Sequence, residues 1–250
     1  MLVETLLPFM AIIAVATYVQ SVAGFALGMI VMGTVTTFNL VPIAFTSVVI
    51  SFVTLINSIF ILKGCMQQLN RRLVLLTVVG MLPGLMIGLT LLEYLSSEYN
   101  QILQNILGIA IIGAGISMIL KSPHKDRKQS HEGIFLVAGT ASGILTGLFS
   151  MGGPPLVYIF YRQPFTLNLI RLYLLSIFFV SSISRITMVG IQGELTSDML
   201  LFALVCIPIV VSMSWIAKRY PPPISLETMR KIAFCMLMVI GVSLLINSNN

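Results

Sequence analysis

Charge is what this chain has least of. Only 9% of its 250 residues are Asp, Glu, Lys or Arg, against ~25% in an ordinary soluble domain. So few charges cannot cover the surface of a water-soluble globule. With 57% apolar residues and a mean hydropathy of +1.02, lipid must be the solvent for much of the chain. Cysteine is also scarce. Cys65, Cys206 and Cys235 stand far apart and mostly inside apolar runs, with no metal-ligand, redox or disulfide-framework spacing, and read as small buried hydrophobes. The N-terminus lacks a basic n-region and its apolar stretch is too long for a signal peptide, so none is expected.

No Asp, Glu or His lies deep in an apolar run. Glu4, Glu93, Glu194 and Asp198 sit at edges, and both histidines, His124 and His131, fall in a central hydrophilic stretch. A proton relay of the usual carboxylate or histidine kind therefore has no carrier. P-loop, HExxH and Ser/His/Asp constellations are missing too, which argues against a pump or an intramembrane enzyme; no cofactor or metal is expected. The net charge of +6 would suit nucleic acid. Yet the basic residues are scattered between apolar segments without interleaved aromatics, so they serve topology and no nucleic-acid partner is expected.

What the chain does have is about eight hydrophobic segments: Leu6–Phe38, Pro42–Leu62, Leu73–Leu95, Ile102–Leu120, Gly133–Tyr161, Leu169–Ile191, Met199–Ala217 and Ile232–Ile246. Six have ordinary spanning length, given that ~20 residues cross a bilayer. The first and fifth are longer and are broken by Gly, Ser and Pro. The hydrophilic stretch Lys121–Glu132 divides the chain into a first half, residues 1–120, and a second half, residues 133–250. Each half reads as one long broken segment followed by three ordinary spans, an internal repeat by organisation.

Charge assigns the sides. Lys63, Arg71 and Arg72; Lys121, Lys125, Arg127 and Lys128; and Lys218, Arg219, Arg230 and Lys231 mark three connections as cytoplasmic by the positive-inside rule. Glu93 and Glu98, and Glu194 and Asp198, mark connections without basic residues as external. These sides conflict if segment five crosses once, and Arg162 just after it points the same way. The expectation is that segment five enters from the cytoplasm, turns near Ser150–Pro155 and returns, as two half-helices of about 18 Å meeting near the midplane. The same logic makes segment one re-entrant, with a plain crossing as the alternative. The halves then have opposite orientation, a transporter design.

Backbone groups freed at a helix break in hydrocarbon need a partner. The two breaks lie within Gln20–Gly28 and Gly143–Pro155. Half-helix N-termini after them present unpaired N–H groups and a positive dipole end, which suits a small anionic substrate; Pro154 and Pro155 fit a first helical turn. The competing reading is that these glycines only permit close helix packing. Gln20, Ser21, Gly24, Phe25, Thr146, Ser150, Gly152, Gly153 and Pro154 are the candidate binding residues at the breaks. Arg185 lies within a span, where it either pairs with an oxyanion or snorkels to the outer interface. Arg171 opens segment six and is a candidate ligand or a snorkelling residue. Asn57 either lines the site or bonds a neighbouring helix.

These residues resemble a known family. Ser142–Tyr161, SGILTGLFSMGGPPLVYIFY, looks like the second-half signature of the sulfite exporter TauE/SafE family. Val19–Gly28, VQSVAGFALG, is similar to its first-half pattern, in which Gln precedes a Gly-Phe pair. Gly80, Pro83, Gly84, Gly88, Asn168 with Arg171, and Arg230-Lys231 leading to Ile240-Gly241 extend the similarity along nearly the whole chain. Ala26 departs from it, standing where many members have Gly. The resemblance implies an exporter of sulfite or sulfur-containing organic anions such as sulfoacetate, multi-pass in a bacterial inner membrane. The combined expectation is an all-α integral membrane protein in two inverted four-segment halves, with an anion site between two broken helices. An anion channel and a non-transporting assembly subunit are the rivals. Lipid-facing Leu, Ile and Met stripes would equally serve a homodimer seam.

Overall fold

The computed structural model describes residues 2–63, 69–119, 130–220 and 226–248. Most of the hydrophilic linker, 121–129, and Cys65 lie outside them. The described residues form ten helices: α1 Leu2–Ala23, α2 Leu27–Thr37, α3 Ile43–Leu62, α4 Arg71–Glu98, α5 Asn100–Ile119, α6 Gly133–Phe149, α7 Gly153–Phe160, α8 Leu167–Ile191, α9 Ser197–Arg219 and α10 Leu226–Ser248. Side chains start three of them: Asn70 accepts from Arg72 N–H, Thr166 from Leu169 N–H and Thr196 from Met199 N–H, each satisfying an orphan donor.

The eight apolar segments become ten helices because the first and fifth break, at residues 24–26 and 150–152. The arms are unequal. α6 has 17 residues and α7 has 8, about 25 and 12 Å at 1.5 Å per residue, not two equal arms. Five helices are long and apolar enough to cross a membrane, including Leu6–Ala23 of α1. Among the described residues α5 and α10 are shorter apolar helices.

Aromatic contacts show where the ends lie. Phe9 in α1 and Phe45 in α3 both meet the Phe202 ring edge-on, at 5.9 and 5.1 Å between centroids. The starts of α1, α3 and α9 therefore share one end of the bundle, and α1 with α2 must run in and back. At the opposite end Phe135 of α6 lies 5.4 Å from Phe160 of α7. Buried Gln163 clasps this second hairpin: its Oε1 accepts from Ser130 N–H and its Nε2 donates to Ser130 Oγ, both at 3.0 Å. Lys63, Arg71, Arg162, Lys218 and Arg219 belong to this end. So does the Arg72–Glu132 ion pair at 2.8 Å. Glu93, Glu194 and Asp198 belong to the other.

The packing pairs repeat. α4 lies along α6 as α9 lies along α1; α2 packs on α10 as α7 packs on α5; α3 meets α8 and α5 meets α10. Exchanging α1–α5 for α6–α10 maps each of these pairs onto another or onto itself.

The closest of these contacts is α4 with α6, and glycines make it. A Cβ on Gly84 would run into the Thr140 carbonyl oxygen, and one on Gly143 into that of Met81; Gly80, Gly88, Gly139 and Gly147 meet carbonyl oxygens of the facing helix likewise. Glycine every fourth residue on both helices lets the backbones touch where no hydrophobic effect drives association. Gly143 and Gly147 thus serve packing rather than the break. Gly84→Ala should destabilise the detergent-solubilised protein by about 1–3 kcal/mol through overpacking. Gly113→Ala, with nothing within 4 Å, should be neutral or mildly stabilising. Thermal unfolding of the two variants beside wild type checks the contrast.

Candidate substrate site

Both breaks use a left-handed residue to stop a helix. α1 ends at Gly24, φ 87°, whose N–H donates to the Gln20 carbonyl at 2.7 Å, and α6 ends at Ser150, φ 54°, whose N–H donates to the Thr146 carbonyl at 2.8 Å. This is the usual C-terminal stop of a helix. Two residues further on, Ala26 has φ 83° as N-cap of α2, a conformation that costs a residue with a Cβ ~1–2 kcal/mol. It is the position where the chain departs from the glycine of the resembled pattern.

The short helices then begin facing one cleft. Ile30 N–H to the Ala26 carbonyl, 2.9 Å, is the first intrahelical bond of α2, so the N–H groups of Leu27, Gly28 and Met29 have no partner within the helix. In α7, Pro154 and Pro155 fall in the first turn and contribute no N–H. Ser142 Oγ donates to the Gly152 carbonyl at 2.7 Å, and in a trans peptide this turns the Gly153 N–H the opposite way, away from α6. The two tips touch: a Cβ on Gly28 would stand 2.6 Å from the Ser150 carbonyl oxygen and 3.1 Å from Met151 Cβ.

The cleft between them is narrow in this conformation, a cavity of about 20 Å³. Its walls are the first turn of α2, the Ser150–Gly153 turn, Gln20, Thr146 and, from neighbouring helices, Thr54, Phe178, Ser181 and Ser182. No charged side chain lines it among the described residues. What it offers a ligand is two helix N-termini, one amide and five hydroxyl groups.

Of the residues singled out from the sequence, Gln20, Thr146, Ser150, Gly152 and Gly153 lie on this cleft. Ser21 and Asn57 stand behind Gln20: Asn57 Nδ2 donates to Gln20 Oε1 and Ser21 Oγ donates to Asn57 Oδ1, both at 2.8 Å, with Ser214 Oγ also 2.8 Å from that oxygen. Phe25 is buried edge-on against Tyr161, 6.4 Å between centroids. Gly24 is covered by Arg171, whose Cα and Cγ would lie 2.8 Å from a Cβ there; Arg171 is half-buried, its stem against the first tip. Thr54, Ser181 and Ser182 carry no motif, and their only signal in the sequence is a hydroxyl inside an apolar run.

Arg185 does not follow the snorkelling alternative. It is 1% exposed, so it does not snorkel, and its donors go to protein. Nε donates to the Thr146 carbonyl at 2.9 Å, and Nη2 to the Gly147 carbonyl at 3.1 Å and Ser47 Oγ at 2.7 Å; Nη1 reaches Ser51 Oγ at 3.5 Å. Thr146 and Gly147 belong to the last turn of α6, where a cation complements the dipole. Ser51 Oγ in turn lies 2.8 Å from Ser150 Oγ. On its other side Arg185 lines a separate vestibule with Glu93, Gln192 and Glu194.

All-helical architecture, long apolar helices and a polar cleft between two broken ones define a multi-pass membrane transporter. The family model for sulfite exporter TauE/SafE matches residues 9–244, and the chain belongs to that family. It is 40% identical over 246 residues to a probable sulfite/organosulfonate exporter TauE of Cupriavidus necator, covering 97% of this chain and 96% of that one. No solved structure matches. Ala26→Gly should relieve about 1 kcal/mol of backbone strain and raise the unfolding temperature in detergent. Gly24→Ala should lower it, since the new Cβ meets Arg171 at a positive φ.

Proposed function

We propose that this protein exports sulfite or a small sulfur-containing organic anion such as sulfoacetate, holding it in the cleft between the two helix breaks and exposing it to the two sides in turn. The observation that carries this reading is the convergence of the α2 and α7 N-termini on one uncharged, hydroxyl-rich cleft. Peptide N–H groups and the positive dipole ends favour an anion there, and the absence of a fixed cation in the cleft favours release as well as binding. The name of the Cupriavidus necator relative supports the substrate class.

Two further features support a carrier with inverted halves, residues 1–120 and 133–250, rather than a channel. The helix pairings interchange between halves, as they do in transporters built from inverted repeats, and the cleft is narrow and closed toward the vestibule by the Arg185 layer. The basic end is assigned to the cytoplasm by the positive-inside rule. With no carboxylate on the cleft, the driving force is the membrane potential. A negative interior contributes about 2.3 kcal/mol per charge per 100 mV to outward anion movement.

Purified protein in liposomes should show saturable sulfite or sulfoacetate flux that increases with an imposed potential. Gly153→Leu, whose side chain would extend toward Met29 and Phe178, should insert normally and lose that flux. Arg185→Lys keeps the charge and loses the planar fork; it should cost about 1–3 kcal/mol of stability and lower flux without abolishing anion binding. Normal flux in Gly153→Leu would place the site elsewhere. Flux absent from wild type for both anions would overturn the substrate class.

A further inference from the structure

Two cavities approach each other in this structure. The central cleft reaches Thr146 and Ser150. The vestibule at the acidic end, about 160 Å³, reaches Arg185, with Glu93, Gln192 and Glu194 around it. Between them stands one layer of side chains. Arg185 bonds the carbonyls of Thr146 and Gly147 on α6 and the Ser47 hydroxyl on α3. Ser51, one turn along α3 from Ser47, closes the layer by meeting Ser150 Oγ at the tip of the second hairpin.

We infer that this layer is the barrier on the acidic-end route, that the vestibule is that half of the anion pathway, and that the Ser51–Ser150 contact is the latch that opens it. The inference rests on the anion-carrier reading only for what passes; the barrier is a property of the two cavities. Its parts differ in strength. The bonds of Arg185, to the α6 carbonyls and to Ser47 on α3 alike, are charge-assisted and hold the guanidinium in place, so the layer parts beside it rather than through it. The Ser51–Ser150 bond is between neutral hydroxyls and is the weaker seam. Ser150 is also the residue at which α6 stops, so a small change at that turn moves the tip from α3. A bound oxyanion accepting the Ser150 hydroxyl proton would compete with Ser51 for it and favour the parted state. Beyond Arg185 an anion meets Glu93 and Glu194, whose charge disfavours its residence and promotes release outward.

Cysteine labelling tests this without any substrate. In a background with Cys65, Cys206 and Cys235 replaced by Ala, single cysteines are placed at Gln192, in the vestibule, and at Ser182, in the cleft, and treated with a membrane-impermeant thiosulfonate from either side of oriented vesicles. The side that labels Gln192→Cys rapidly is the acidic-end side. From that side Ser182→Cys should react much more slowly. Adding Ser51→Ala should speed Ser182→Cys about two- to tenfold, the worth of one neutral hydrogen bond, and leave Gln192→Cys unchanged. Ser150→Ala cuts the same contact from its other partner and should act in the same direction; it serves if Ser51→Ala does not fold. Equal rates at Gln192→Cys and Ser182→Cys in the otherwise unaltered background would overturn the barrier, and unchanged rates after both alanine substitutions would overturn the latch. A failure to carry sulfite would leave these rates as they are, so the two readings fail separately.

Discussion

A backbone cut loose from its helix inside hydrocarbon must find partners for its N–H and C=O groups, and the rest of this structure is arranged around that constraint. Each broken segment frees two sets, the carbonyls that end the long arm and the N–H groups that begin the short one. The carbonyl ends are met by protein. Thr146 and Gly147 at the end of α6 take the Arg185 guanidinium, and the Gln20 carbonyl at the end of α1 takes the Gly24 N–H. The N–H ends are left facing the cleft. On the proposed function, this asymmetry of satisfaction is what gives the cleft a preference for anions.

Close packing keeps that arrangement in place. α6 carries the second tip and is held along its length by backbone-to-backbone contact with α4 through two rows of glycine. Its open end is clasped by Gln163 and Ser130. Arg185 pins its far end to α8 and α3. The hairpin is thus fixed at three places along its long arm, and its short arm α7 is held at its end by Phe160 against Phe135 and Tyr173. The first hairpin is held differently, by Arg171 over Gly24 and by the Ala26 turn. The tips therefore differ in chemistry although the helix pairings interchange.

Much of this was legible in the sequence. Hydropathy marked all eight apolar segments, and the two interrupted ones are those the structure breaks, at Gly24 and at Ser150 just ahead of Pro154 and Pro155. Among the described residues Lys63, Arg71, Arg162, Lys218 and Arg219 lie at one end and Glu93, Glu194 and Asp198 at the other, as their positions between segments suggested. The arm lengths were not legible, since a long apolar run says where a chain is buried but not where it bends. The division of labour at the site was also hidden. Nothing local distinguishes Gly143, which packs, from Gly153, which faces the cleft, or Gln20, which reaches the cleft, from Asn57 behind it. Arg185 read as ligand or anchor because its partners, two carbonyls 38 and 39 residues away in sequence, appear only once α6 and α8 are folded together.

The central claim is that the anion sits between the starts of α2 and α7. Selenite has the shape and charge of sulfite and scatters anomalously at the selenium edge, so crystals of the protein soaked in it would locate the anion directly. The account predicts a peak within hydrogen-bond reach of Gly28, Ser150 and Gly153. A peak in the vestibule beside Arg185, or at Arg171 on the basic end, with none in the cleft, would contradict it.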